Sequence, residues 1–405
     1  MQIKLLIISF AIFRLTYAQG TWTQKANFGG TARANAVGFS IGTKGYFGTG
    51  WDSIAKNDLW EYDPNLNSWS QRASLPGEAR FGAVGFSIGT KGYIGTGKDN
   101  SFNDLNDFWE YDPSSNNWSQ KANFGGTPRY LAVGLSIGTK GYIGTGDYLN
   151  GTSMSDFWEW NQATNIWTQK ANFGGAARIE ASGFSIGEKG YIGTGATSSA
   201  PSSVTYFSDF WEWDQTTNIW TLKSSFGGGG RVGVECSAFA IGSKGYMGVG
   251  NNEPNYYNDF WEYDPSIDTW TQKLNFGSSG RIDGTGFTIG SKGYLGIGYN
   301  GTLQQDFWEY DPSGISSTGE IISNFSLTIF PNPFSSQTTL QTGKFLKDAT
   351  LIVYNLFGQQ IKQLKNISGQ TITFDRDNIS NGIYFLQLKQ DNKILATVQF
   401  VIADK

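Results

Sequence analysis

From Thr21 to about Pro312 the chain is built of short runs, four to seven residues long, of aromatic, β-branched and glycine residues. Clusters of Gly, Asn, Asp and Pro separate them, which is the pattern of short strands joined by tight turns. Four kinds of run recur in fixed order. The first follows an arginine (33, 80, 129, 178, 231, 281) and reads like Ala36-Val-Gly-Phe-Ser-Ile-Gly42; the second reads like Lys44-Gly-Tyr-Phe-Gly-Thr-Gly50. The third is a phrase whose last copy is Asp306-Phe-Trp-Glu-Tyr-Asp-Pro312, with tryptophans at 60, 109, 158, 211, 261 and 308. The fourth carries a tryptophan at 22, 69, 118, 167, 220 and 270, as in Asn67-Ser-Trp-Ser-Gln-Arg72.

The phrase tryptophans are spaced by 49, 49, 53, 50 and 47 residues, and a period of about 50 marks a repeat architecture. Four strands per repeat make a propeller blade. The chain enters on the fourth run, at Thr21-Trp-Thr23, and leaves after the third, at Tyr310-Asp311, yet each run occurs six times. The economical solution is six blades closed by the N-terminal strand, which completes the last blade and leaves no open edge between first and last repeats. The predicted fold is therefore all-β: a six-bladed β-propeller over 19–312, a linker at 313–323, and a further small domain at 324–405.

These runs resemble the kelch repeat, with glycines after an aromatic, Tyr-Asp before a turn, tryptophan on the outer strand and arginine opening the innermost one. The resemblance spans about 290 residues. One departure is that the usual adjacent glycine pair is here Gly48-Thr-Gly50 and its relatives.

After the linker the period vanishes. Leu327–Pro333, Ala349–Tyr354, Thr371–Phe374, Gly382–Leu388 and Thr397–Ile402 read as strands of a small antiparallel β-sandwich. The stretch resembles the C-terminal sorting domain of the Bacteroidetes type IX secretion system, through Pro331-Asn-Pro333, Val353-Tyr-Asn355 with Gly358-Gln359, and Gly382-Ile-Tyr384. That resemblance implies export across the outer membrane by the type IX machinery, followed by removal of the domain with release or surface attachment. At the other end, Lys4, the apolar run Leu5–Phe13 and small residues up to Ala18 predict a secretory signal peptide over 1–18, too short in its apolar part to span a bilayer. The expected location is thus secreted or on the outer cell surface, reached through the periplasm, with no transmembrane segment.

Composition narrows the chemistry. The 405 residues contain no histidine, which removes catalytic triads, His-ligated metals and His pH switches; the resemblance to kelch proteins therefore cannot extend to the copper site of galactose oxidase. A net charge of −4 argues against nucleic acid as a partner. The lone Cys236 reads as a buried thiol without a disulfide partner. No cofactor or metal site is predicted.

Two sets of residues remain as ligand candidates. Loops between second and third strands emerge on the same face as those leading into the arginines, so six arginines are expected around one mouth of the channel. At about 10 Å apart they would repel by roughly 1.7 kcal/mol per pair at an effective dielectric of 20. They must therefore be solvated, paired with acids, or held for an anion. Glu180, Glu235 and Asp283 stand in register beside three of them, whereas Arg33, Arg80 and Arg129 lack that neighbour and are candidate ligand contacts; the alternative is that all six bind carbonyls and the phrase aspartate within their own blades. The second set is the loop aromatics Trp51, Phe102, Tyr148, Tyr206, Tyr256 and Tyr299, which suit a glycan- or protein-binding surface unless each merely plugs its own loop. Binding of an extracellular glycan or protein is the function predicted. The alternative is an enzyme on sugar acids, like the sialic-acid mutarotases among kelch proteins, with Arg holding a carboxylate and Glu180, Glu235 and Asp283 moving protons.

Overall fold

The computed structural model of the protein describes residues 20–149, 151–197, 204–232, 237–314, 327–355, 359–390 and 393–404. The expected signal peptide, Glu235 and Cys236 lie outside them. Ala18–Gly314 forms one compact unit and the chain beyond it belongs to a second.

The first unit holds six antiparallel four-stranded sheets. Blade 1 runs Val37–Ile41, Lys44–Gly48, Leu59–Asp63 and Ser68–Arg72 from the axis outward. Its innermost strand alternates buried and half-buried positions, burying Val37, Phe39 and Ile41. The second strand is buried from Gly45 to Gly48, because sheets pack against both of its faces. Its glycine is there for a close approach: a Cβ on Gly45 would sit 2.1 Å from the Phe287 ring of blade 6, and one on Gly92 would sit 2.3 Å from Phe39. The Lys-Gly-Tyr run is thus a slot for the aromatic of the preceding blade.

Adjacent blades are also stitched at their outer strands. Asn67, in a left-handed turn (φ 49°, and 50° at the equivalent Asn116), accepts the Ala26 N–H at 2.9 Å and the Tyr62 hydroxyl at 2.9 Å. Trp69 Nε1 donates back to the Ala26 carbonyl at 3.2 Å. The same exchange recurs with Asn116 and Trp118 on Ala73, Asn165 and Trp167 on Ala122, Asn218 and Trp220 on Ala171, and Asp268 and Trp270 on Ser224. A left-handed turn residue that accepts hydrogen bonds explains why Asn or Asp occupies this place.

The ring closes as expected. Thr21–Gln24 pairs antiparallel with Phe307–Asp311, with Thr21 opposite Asp311 and Trp22 opposite Tyr310. Trp22 lies 5.0 Å from the rings of Phe260, Phe276 and Tyr310, and its Nε1 reaches the Leu274 carbonyl at 3.2 Å.

In the second unit Leu327–Phe330, Gln337–Asn355, Gln360–Asp375, Gly382–Gln390 and Lys393–Ile402 form one five-stranded antiparallel network. Two strands are far longer than the sequence pattern suggests, and bulges interrupt their pairing between Gln341 and Leu351. Bulges bend and twist a strand. The bent ribbon surrounds one core that includes Leu340, Leu351, Phe374, Leu388 and Phe400.

Truncating Trp22 to Ala removes a ring packed on three aromatics and should cost about 3–5 kcal/mol. Deleting 19–26 should destabilise the propeller at least as much, because it strips the last blade of its outer strand and exposes Phe307–Asp311. Thermal unfolding within a degree or two of the intact chain would refute the shared blade.

Candidate functional site

The third-strand phrase and the arginine turn form one clamp in every blade. Arg33 Nη1 donates to Asp58 Oδ1 at 2.5 Å and Nη2 to Asp58 Oδ2 at 2.9 Å, the two-pronged geometry of guanidinium on carboxylate. Trp60 Nε1 donates to the same Asp58 Oδ2 at 2.8 Å, which fixes the Asp-x-Trp spacing, since alternate strand residues share a face. Arg33 also donates to the Thr49 carbonyl at 2.8 Å and to Thr31, and its guanidinium lies 5.0 Å from the Phe28 ring centre. Thr49 adopts φ 58° to turn that carbonyl inward, so the Gly-Thr-Gly spacing is a device for completing the clamp.

The pairs Arg80–Asp107, Arg129–Asp156, Arg178–Asp209, Arg231–Asp259 and Arg281–Asp306 repeat it, and each arginine is at most 1% exposed. Burial would raise the Asp107 carboxyl, but the Arg80 guanidinium and the Trp109 N–H overcome it and hold the acid below its ordinary range. Arg33, Arg80 and Arg129 therefore do not face a ligand across the mouth. Their charge is consumed inside the blades, and Arg33 and Arg129 have all five N–H groups engaged.

What rings the axis instead is backbone. The second residue after the arginine is left-handed in blades 1–4 and 6: Asn35, Gly82, Leu131, Glu180 and Asp283 have φ between 53° and 57°. Their amides link blade to blade, Asn35 to the Asp283 carbonyl, Gly82 to Asn35, Leu131 to Gly82 and Glu180 to Leu131. Asn35 Nδ2 also donates to Asp283 Oδ2 at 3.2 Å. Burial pushes the Asp283 carboxyl up to about 6, and the Asn35 amide offsets this only in part.

The loop aromatics fall into groups. Trp51 is wedged between Phe81, 5.0 Å away, and Phe102, 5.9 Å away, and Phe81 leads on to Tyr130 at 6.2 Å. Phe102 is 57% exposed at the loop tip. Beneath them Lys98, 1% exposed, sits 3.6 Å from the Tyr130 ring centre and pairs with Asp104 at 3.4 Å. On the other side Tyr256 and Tyr299 meet edge to face at 6.4 Å. Tyr206 pairs with Ala196 in the blade 4 loop. Tyr148 is half-buried on the hairpin Asp147–Tyr148 with Thr152–Ser153, and a neighbouring backbone N–H, that of Leu149, ties this loop to Asp104 of blade 2. Phe207 and Tyr257, by contrast, fold over Arg178 and Arg231 at 4.2 and 4.3 Å and plug their own loops.

Phe81, Tyr130 and Lys98 escape a reading by composition. Phe81 and Tyr130 each directly follow a repeat arginine, and Lys98 directly follows Gly97 where blade 1 has Trp51, so aligning the repeats column by column exposes them. A shallow cleft of about 560 Å³ beside Gly29, Gly30 and Trp60 carries only paired charges, Arg33 with Asp58 and Lys56 with Asp52. Among the described residues no group of three or more Cys, Asp or Glu could hold a metal ion.

Arg80→Ala should lose about 2–4 kcal/mol of stability, because half-buried Asp107 and the Thr96 carbonyl lose their partner and the buried guanidinium leaves a void. A loss below 1 kcal/mol in chemical denaturation would argue for a ligand role instead. Asp283→Asn should have the opposite sign. A carboxyl raised in the folded state stabilises it at low pH and loses that contribution as pH rises through about 6. The variant should therefore melt with the parent near pH 4 and be more stable above pH 7, by about 1–2 kcal/mol once access of water to the channel is allowed for. Equal melting temperatures at pH 8 would refute the buried-acid assignment.

Residues 328–403 match the family described as the secretion system C-terminal sorting domain. No curated protein matches the chain. Among solved structures, one titled "Structure of YjhT" superposes with a TM-score of 0.58 at 15% identity, over 70% of this chain and 95% of that one, a likeness of fold. No helix among the described residues is long and apolar enough to cross a membrane. The chain is thus a β-propeller carrying a type IX sorting domain, exported by that machinery to the cell surface or beyond it.

Proposed function

We propose that the propeller is an extracellular binding module and that its loop face takes a protein ligand. The supporting observation is the aromatic cluster of Trp51, Phe81 and Phe102, a contiguous apolar surface on loops of blades 1 and 2. Aromatic anchors within a polar rim are the usual centre of a protein interface. Glycans favour open, flat ring faces, and Trp51 has aromatic neighbours against it on two sides. That favours apolar side chains over pyranose rings. A sugar-acid enzyme would draw on an arginine turned to the channel, and the six repeat arginines are each engaged by an aspartate of their own blade, which supports binding over turnover.

The remaining organisation completes the reading: a signal peptide at 1–18 for passage to the periplasm, a kelch-like propeller at 19–312, a linker at 313–323 and a removable sorting domain at 324–405. The closed propeller makes all its blade contacts without the tail.

Phe102→Ala combined with Trp51→Ala should reduce retention on a protein array at least tenfold while lowering the melting temperature by no more than about 2 °C, because loop tips contribute little to the core. Retention moving instead to a glycan array, or a loss of several kcal/mol, would replace this reading with a lectin or with loop plugs. Chains ending at residue 323 should accumulate folded in the periplasm; normal extracellular levels would contradict the export route.

A further inference from the structure

The loop face separates charge as well as polarity. On blades 4–6, Tyr206 and Tyr256 both lie within the field of Glu253; Tyr206 also feels Glu180, and Tyr256 also feels Asp283 and Tyr299. Burial chiefly, and these carboxylates in addition, push both phenols up. The cations of these blades are committed elsewhere. Arg178, Arg231 and Arg281 are inside their clamps, and the lysines of the second and outer strands bind the Glu and Asp of the third. Across the mouth, Lys98 and Lys56 are held by their own carboxylates, Asp104 and Asp52.

A buried acceptor points the same way. Asn251 faces Tyr256 across an antiparallel bridge, which puts both side chains on one side of the pair. It is 6% exposed, and its Oδ1 receives no hydrogen bond. Carboxylates, tyrosine rings and an unmet carbonyl oxygen together call for a group that only donates and is positive. Ammonium and guanidinium fit, because they have no acceptor to clash with the acids and are attracted to aromatic faces.

We infer that the protein ligand carries a basic segment, whose lysine or arginine head docks among Tyr206, Tyr256, Tyr299, Glu253 and Asp283, beside Asn251, while apolar neighbours rest on Trp51 and Phe102. This deepens the binding function proposed above and rests on it. It also reverses the polarity that six mouth arginines would have given. Binding to the acid half is electrostatic and partly exposed, so salt weakens it.

The test is calorimetric titration of the full chain with three probes: a hexapeptide alternating Lys and Phe, its Glu and Phe counterpart, and a glucosamine hexamer. The Lys peptide should bind best and weaken about tenfold between low and high salt. Asp283→Asn with Glu253→Gln should weaken it by a further tenfold or more without lowering the melting temperature, and Asn251→Ala should weaken it to a smaller extent. The inference fails if the Glu peptide binds as well, if the acid-to-amide variant binds unchanged, or if the glucosamine hexamer binds more tightly than the Lys peptide. If no probe binds while array retention still depends on Phe102, the charge assignment falls and the binding function stands. Loss of both overturns the two together.

Discussion

Removing an aspartate from water beside a guanidinium is costly unless the two are closely paired and hydrogen-bonded, and this propeller builds such a pair six times. In each blade the arginine turn, the phrase aspartate, the phrase tryptophan and the carbonyl at the end of the second strand close around one another. The unit ties the loop before the innermost strand to the start of the third strand, so it fixes where the innermost strand enters and where the connecting loop leaves. The loop face is thereby held on a rigid collar, and the loops between second and third strands can differ in length without disturbing the blades beneath. Repetition of the clamp and variation of the loops are two sides of one arrangement.

The same arrangement decides the electrostatics of the face. An arginine satisfied inside a blade contributes no positive field at the mouth, so acids that would have been incidental become dominant. Asp283 is the clearest case. It sits on the left-handed collar between blades 6 and 1, held by Asn35 through both backbone and side chain. Its charge is disfavoured by its surroundings rather than neutralised by a cation.

Much of this was legible in the residues. The six-fold phrase, the spare first strand and the incomplete last repeat foretold the closed ring, because hydrophobic period and turn chemistry agree in every copy. The phrase aspartate was recognised as one destination for the arginines, but sequence could not choose between it and an open mouth. Arg33 and Asp58 are 25 residues apart, and only the packed sheet brings them together. The clamp carbonyl was obscured for another reason: Thr49 and Thr96 occupy a left-handed position where glycine is the usual signal. In the sorting domain, Gly343, Lys344, Lys347 and Asp348 break the alternation that marks a strand, so the long Gln337–Asn355 strand looked like a short one. Bulges absorb those residues, and a bulge has no period to detect.

The strand that closes the ring is also the first to be made. Thr21–Gln24 emerges some 280 residues before its partner Phe307–Asp311, and pairing across that separation is slow because the intervening chain must be ordered first. Until then blade 6 lacks its outer strand and Trp22 lacks Tyr310, one of its three aromatic neighbours. Completion of the propeller therefore waits until its last repeat has been made. A ring that can be shut only from its two ends stays open until both ends are present, so its first and last repeats hold each other's fate.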